Sequence, residues 1–414
     1  MDKFAFLFPG QGAQFVQMGK YFIEQYPIAR QTYNEASQIS GKDISKLCLE
    51  GKVSDLSEFI NMQLAIVTTE VAIFRCYMED YGISPQFVMG HSIGEYAALV
   101  CAGAIEFSDA IKLMIVRGKL VNNILSSKIG RMTIVEKISQ NDLNNVLKDQ
   151  DEVYISCYNS KSQFAISGTN EVLDKIESIL ISQEAIVSPL LFGPPMHSIL
   201  MHDIKDNYFK SLSEVTYYPL RFPILSNVLG KPILDNSLLP SLLAEHLVKP
   251  VLWSQSMEYL PRFGVTVAIE MSPKLLVSKF LQENVPTVKT FCYGISKDRN
   301  ELEQMFEADK NYEKDRPHFL GVCMKILSAT PNNNTDKDAC DKVVKIYNDL
   351  KQSYISTSES KFGNRKEQLR QAAKQLIYAL KLKKLNQETI REWIKMLLDE
   401  TNTFYLLNDV YSTI

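Results

Sequence analysis

The segment Phe87-Val88-Met89-Gly90-His91-Ser92-Ile93-Gly94 limits most narrowly what this chain can fold into. A short apolar, strand-like run enters a glycine-flanked serine, and a helical pattern through Tyr96, Leu99 and Val100 follows at once. Strand, tight turn and helix in that order belong to α/β folds, whose chemistry gathers at the carboxyl ends of the strands. The glycines are expected to let the backbone take strained angles and leave the Ser92 hydroxyl exposed. The helix adds its N-terminal dipole and free N–H groups, which can hold a developing oxyanion. The bare pentapeptide fits a structural turn as well as a nucleophile; the strand before it and the helix after it favour catalysis.

A serine hydroxyl is a weak nucleophile at neutral pH and needs a base within hydrogen-bond reach. The chain offers five histidines: His91, His197, His202, His246 and His318. His91 adjoins Ser92, so on a tight turn its side chain should diverge and shape the loop. His318 falls in a divergent third region, and His202 and His246 read as surface or packing residues. His197, in Gly193-Pro194-Pro195-Met196-His197-Ser198, stands where a proline-stiffened segment returns to the body of the fold, facing the cleft.

Around this centre the chain divides into three stretches. Apolar Phe4 to Phe8, the Pro9-Gly10-Gln11-Gly12 turn and a helical pattern through Met18, Phe22 and Tyr26 open an α/β body. It resumes with strands at Ile224 to Val228 and Val265 to Glu270. Between these, strands at Met132 to Val135, Val153 to Cys157, Gln163 to Ser167 and Ala185 to Leu191 alternate with helices at Gln140 to Leu147 and Val172 to Ile181. That β-α-β-β-α-β order is ferredoxin-like. From about Glu301 the pattern changes again. Polar Pro331 to Thr335 reads as a linker or long loop. Asn364 and Glu367 form a capping-box-like start to a helix with the stripe Leu369, Ala372, Ala373, Leu376, Ile377 and Leu380. A second stripe runs through Ile390, Trp393, Ile394, Leu397 and Leu398. The fold class is therefore α/β: an α/β-hydrolase-like large subdomain with a parallel sheet (1–128 and 198–300), an inserted ferredoxin-like small subdomain (129–197) and a helical C-terminal extension (301–414).

With 45 basic and 48 acidic residues the net charge is −3, so neither nucleic acid nor an anionic membrane is the expected partner. The seven cysteines are widely spaced with no C-x-x-C pair, as in a reduced cytoplasmic protein. The start lacks the pattern of a signal peptide, and charges are expected to interrupt every apolar run short of the ~18 residues that span a bilayer.

Several motifs in order resemble the malonyl-CoA:acyl-carrier-protein transacylases and the acyltransferases of polyketide synthases, across residues 3–295. They are Phe8-Pro9-Gly10-Gln11-Gly12-Ala13-Gln14, Gly90-His91-Ser92-Ile93-Gly94-Glu95-Tyr96, Arg117-Gly118, Asn159 after Tyr158, His197-Ser198, Ser226-Asn227-Val228 and Pro250-Val251-Leu252-Trp253. The resemblance implies a Ser92/His197 dyad whose imidazole is oriented by a main-chain carbonyl. It implies an oxyanion hole from the backbone N–H groups of Gln11 and Ile93, and substrate contacts from Gln11, His91, Arg117, Met196, Asn159 and Asn227. The helical pattern alone reads Arg117 as a surface residue; the resemblance makes it the guanidinium that grips a malonyl carboxylate. Malonyl-CoA and an acyl carrier protein are then the partners. No metal and no redox cofactor is called for, phosphopantetheine being carried by the partner.

The chain departs from the family pattern at several positions. Met196 stands where phenylalanine or serine is usual, His246 where glutamine is common, Leu64 for a proline and Ser272 for a glycine, while Ile93 fits malonyl-selecting members. In the family that the chain resembles, the position of His246 supplies the main-chain carbonyl that holds the base, so this change is expected to be harmless. The region from 301 goes beyond the housekeeping enzyme, as in stand-alone acyltransferases that serve polyketide or hybrid lipopeptide assembly lines in trans. The competing reading is an acyl hydrolase of the same fold that clears stalled acyl groups.

Overall fold

The computed structural model describes residues 2–127, 129–190, 193–308, 319–356, 365–401, 403, 407, 410–411 and 414. Two compact units emerge, one of residues 2–76 and 85–303, the other of the described parts of 77–84 and 304–414.

The first unit is built on a parallel sheet of β1 (Phe4–Phe8), β2 (Phe87–Gly90), β7 (Ile224–Leu225), β8 (Val267–Glu270) and β9 (Lys289–Cys292), in the order β7-β2-β1-β8-β9. Every residue of β1, β2 and β8 is buried, the continuous apolar pattern of strands covered on both faces. The register sets Phe8 beside Gly90 and Met89 beside Leu225, so the segments leaving β1, β2 and β7 start from one edge of the sheet. The expected strand from Ile224 to Val228 is cut to two residues, because Asn227 leaves the ladder to bond Ser92 and Gly90 instead.

The small antiparallel sheet has the order β4-β5-β3-β6: β4 (Val153–Tyr158), β5 (Gln163–Thr169), β3 (Gly130–Glu136) and β6 (Ile186–Leu190). Helices Gln140–Leu147 and Asn170–Ser182 bury Leu143, Leu173, Ile176 and Leu180 against it. This is the ferredoxin-like order expected from the sequence. Leu191, the expected end of the last strand, lies outside the described residues. Main-chain bonds between Val251 and both Ser156 and Tyr158 tie β4 to the larger sheet's subdomain.

One expectation needs correction. Phe59–Asp80 is a 22-residue helix of mean hydropathy 1.3, long and apolar enough by length and composition to cross a membrane. Its interior charges, Glu70 and Arg75, are too few to break the run, and 89% of the apolar window is buried, the setting of a core helix. Glu70 is fully buried, and neither carboxyl oxygen has a hydrogen-bond partner among the described residues. Burial, and then the charge of Glu270, push its carboxyl well above the usual range. Burial likewise raises Glu270 to about 7, although the N–H groups of Leu276, Val277 and Ser278 pull it down. A carboxyl that keeps its proton in the folded state stabilises most at low pH. That stability is lost as pH rises from the unfolded value, about 4.3, through the folded one. A Glu70→Met protein is therefore expected to be more stable by roughly 1–3 kcal/mol. Urea denaturation should show the gain to be larger at pH 7.5 than at pH 5.

The second unit is helical: Phe319–Ala329, Lys337–Ser356, Arg365–Leu382 and Gln387–Glu400. Both predicted stripes are its core, with Leu369, Ala373, Leu376, Leu380, Ile390, Ile394 and Leu397 buried together and Trp393 packed alongside. Asn386 caps the last of these helices, accepting from the Thr389 N–H at 2.8 Å, whereas Asn364 lies outside the described residues. Pro331 to Thr335, expected as a linker or long loop, is a loop between two helices of this unit. Asn334 Nδ2 donates to the Leu382 carbonyl at 2.7 Å and the Asn333 N–H to Lys383 at 3.0 Å, which fasten it. Lys383 Nζ in turn donates to Leu327, Thr330 O and Thr330 Oγ1, satisfying the carbonyl end of Phe319–Ala329. Residues 77–84, expected with the catalytic body, belong to this helical unit, where Tyr77 and Tyr81 pack their rings on Phe306 at 6.4 and 4.8 Å.

Candidate active site

Ser92 occupies the turn between β2 and the helix Gly94–Cys101 with φ of 51°. The left-handed strain thus sits on the serine itself and not on its glycines. The glycines provide room: a Cβ on Gly90 would lie 2.1 Å from the Gly94 carbonyl, and one on Gly94 2.2 Å from the Phe8 oxygen. Such strain in a bulky-neighbour turn costs on the order of 1–3 kcal/mol and persists only where the surroundings impose it. Here Asn227 imposes it. Its Oδ1 accepts from the Ser92 N–H at 2.9 Å and its Nδ2 donates to the Gly90 carbonyl at 2.6 Å. Asn227, expected among the substrate contacts, therefore has both ends of its amide engaged in bracing the turn.

His197 also has a positive φ, 59°, and its N–H donates to Leu247 O at 2.9 Å. Its Nδ1 lies 2.6 Å from the His246 carbonyl and its Nε2 2.8 Å from Ser92 Oγ. A carbonyl can only accept, so Nδ1 carries the proton and Nε2 presents its lone pair to the serine hydroxyl. Burial holds the imidazole well below the usual histidine range, with the charges of His246 and Arg117 acting in the same direction. A neutral base facing the nucleophile is the state that acyl transfer requires.

The loop after β1 lies over this pair. A Cβ on Gly10 would meet the His91 carbonyl at 2.6 Å and Ser92 Cβ at 3.4 Å, so only glycine lets the loop approach so closely. Next to it, the backbone N–H groups of Gln11 and Ile93 have no protein acceptor among the described residues. The Gln11 side chain reaches the segment leading to His197, with Nε2 3.7 Å from where a Gly193 Cβ would stand. Met196 is buried, its carbonyl accepting from Ser167 Oγ at 2.7 Å. His91 turns away from Ser92, pairing Nε2 with Asn159 Oδ1 at 2.7 Å and packing edge-on against Trp253. Its pKa is lowered to about 4 by burial.

Arg117, on the helix Phe107–Ser127, is 4% exposed and not the surface residue its helical pattern suggests. Its Nη1 donates to Gln63 Oε1, Gln63 Nε2 donates to the Phe59 carbonyl at 3.2 Å, and the guanidinium lies 5.7 Å from the Phe59 ring centroid. Nε has no partner, and no carboxylate pairs with Arg117 among the described residues. A buried cation without an anion is costly, which makes the site receptive to a negatively charged group. Of the other histidines, His202 is exposed, His318 lies outside the described residues and His246 is buried. Three residues that shape the site drew no functional expectation: Gln63, Glu95 and the His246 side chain. Only the Gly-Glu-Tyr stretch after the serine could have drawn notice to one of them.

The fold and the site define a serine-based acyl-transfer protein, and the sequence pattern of the acyl transferase domain matches residues 5–314. The chain belongs to the acyl transferase family. It is 33% identical over 343 residues to a malonyl CoA-acyl carrier protein transacylase of Bacillus subtilis, covering 82% of this chain and 85% of that protein. Among solved structures, an acyl carrier protein S-malonyltransferase of Vibrio cholerae is 31% identical with a TM-score of 0.69, over 72% of this chain and 99% of that one. A malonyl-transacylase in complex with its type II PKS acyl-carrier protein is 29% identical with a TM-score of 0.70, over 73% and 99%.

Proposed function

We propose that the protein transfers a malonyl group from malonyl-CoA to the phosphopantetheine thiol of an acyl carrier protein, by way of a malonyl ester on Ser92. The observation that carries this reading is the buried Arg117, which pairs with no carboxylate among the described residues and whose charge acts on His197. It supplies the cation that a malonyl carboxylate needs and that a plain acyl chain does not. Ser92 Oγ attacks the thioester carbon while His197 Nε2 takes its proton. The backbone N–H groups of Gln11 and Ile93 receive the oxyanion, each such donor being worth about 2.7–4 kcal/mol. The C–S bond breaks and coenzyme A leaves with the proton from His197. The carrier thiol then gives its proton to His197, attacks the ester and releases Ser92 as the alcohol. This route needs neither metal nor redox group.

The helical unit supports a discrete enzyme acting in trans on assembly-line carriers. The likeness to the Bacillus subtilis relative covers 82% of the chain and so runs past residue 303 into that unit. The test incubates the protein with labelled malonyl-CoA or acetyl-CoA, then adds carrier proteins from polyketide assembly lines and from fatty-acid synthesis. Covalent label is expected from malonyl-CoA alone, moving faster to the assembly-line carriers. Equal labelling by acetyl-CoA would overturn the malonyl reading, equal transfer to both carriers the assembly-line reading. Release to water irrespective of carrier would identify a hydrolase.

A further inference from the structure

The direct partner of the base is a carbonyl, yet a buried carboxylate stands one residue behind it. His246 Nδ1 lies 2.9 Å from Glu95 Oε2, with Glu95 4% and His246 3% exposed. The other oxygen, Oε1, accepts from the Asn227 N–H at 3.1 Å. The His246 ring stacks on His197, with centroids 4.7 Å apart and planes 28° from parallel. Hydrogen bonds, with the Glu95–His246 ion-pair contact among them, therefore link Ser92 N–H through Asn227, Glu95, His246 and His197 back to Ser92 Oγ.

A carboxylate oxygen 2.9 Å from His246 Nδ1 favours the tautomer with the proton on that nitrogen. The Nε2 of His246 is buried with no partner among the described residues, and the ring weighs against a proton on His197. Among the described residues, the other charged or titratable groups that act on the two rings are His91, whose titration His246 also lowers, and Arg117. The neighbouring Glu245 is engaged by Lys205 and Lys249 and is not available to His246.

We infer that Glu95 and His246 are positioning residues for acyl transfer, a carboxylate–imidazole pair that fixes the His197 ring through stacking and counterbalances the positive charge His197 gains when it takes the Ser92 proton. The acid of a serine–histidine–acid triad is present in this protein but acts through an intervening imidazole. The inference rests on the Ser92/His197 reading of the site and not on the identity of the acyl group.

The test follows the rate at which a fluorophosphonate probe modifies Ser92, read by intact-protein mass between pH 4 and pH 9. The Oγ–P bond forms, the P–F bond breaks and His197 takes the proton, so the rate reports the base without any thioester. Glu95→Gln keeps the shape and removes the charge. It should slow modification on the order of 10- to 100-fold and move the acidic limb to lower pH, because His197 holds its proton less well. His246→Gln keeps the main-chain carbonyl and removes the stacked ring, and should move the limb to higher pH. Shifts in opposite directions, in proteins that melt within a few degrees of wild type, support the pair. Limbs that stay in place in both variants overturn it, as does equal slowing at every pH. If either variant fails to fold, the other still decides through the direction of its shift. Wild-type protein that reacts with the probe but takes no malonyl group would sink the proposed substrate and leave this inference standing.

Discussion

Ser92→Ala is expected to take up no label from malonyl-CoA and to lose transfer to carrier protein by a factor on the order of 10⁴ or more, the scale on which removing a triad nucleophile acts. The fold should survive, because Asn227 and the glycine packing fix the turn without the hydroxyl. Melting temperature is the control. His197→Ala should be comparably inactive, and the double variant hardly worse than either, since nucleophile and base act as one unit. The same pair predicts the pH profile. Burial holds His197 well below the usual histidine range, so the base stays free as pH falls past the ordinary value near 6.5 and is lost only through its lowered value. Acylation should hold its plateau below pH 6. A limb centred at or above 6.5 would contradict the burial seen here.

The second large effect is at Arg117. Arg117→Met should lower kcat/KM for malonyl-CoA at least ~100-fold, because a desolvated carboxylate left unpaired costs on the order of 3–5 kcal/mol. Acetyl-CoA, with no carboxylate to lose, should react as well as before or better. Arg117→Lys keeps the charge but not the two-pronged geometry and should fall between them. The free protein should be no less stable for losing a buried cation that pairs with no carboxylate among the described residues. Malonyl-CoA and acetyl-CoA reacting with unchanged relative rates in Arg117→Met would remove the clamp.

Much of this was legible in the chain because it depends on near neighbours. The β2 run, the Ser92 turn and the following helix are written within fifteen residues, and the glycines at 90 and 94 are demanded by contacts inside that turn or with the adjacent strand. The small sheet declares itself through alternating apolar runs of the right length. The core helices of the second unit show in their stripes, but Phe319–Ala329 and Lys337–Ser356 went unmarked and the polar run between them read as a linker or long loop. Composition there suggests exposure, and only the bonds to Leu382 and Lys383 show the loop to be fastened.

The sequence by itself determined the Ser92 turn and the order of the elements, since backbone geometry and hydrophobic period act over a few residues. Tertiary structure alone decided how the chemistry is tuned. It buries Arg117 on a helix whose pattern suggested exposure, sets Gln63 and Phe59 around it, and stacks His246 on His197 with Glu95 behind. Those partners lie tens to more than a hundred residues apart, and their effect arises from desolvation and from charges a few ångströms away. Neither quantity exists until the chain has folded.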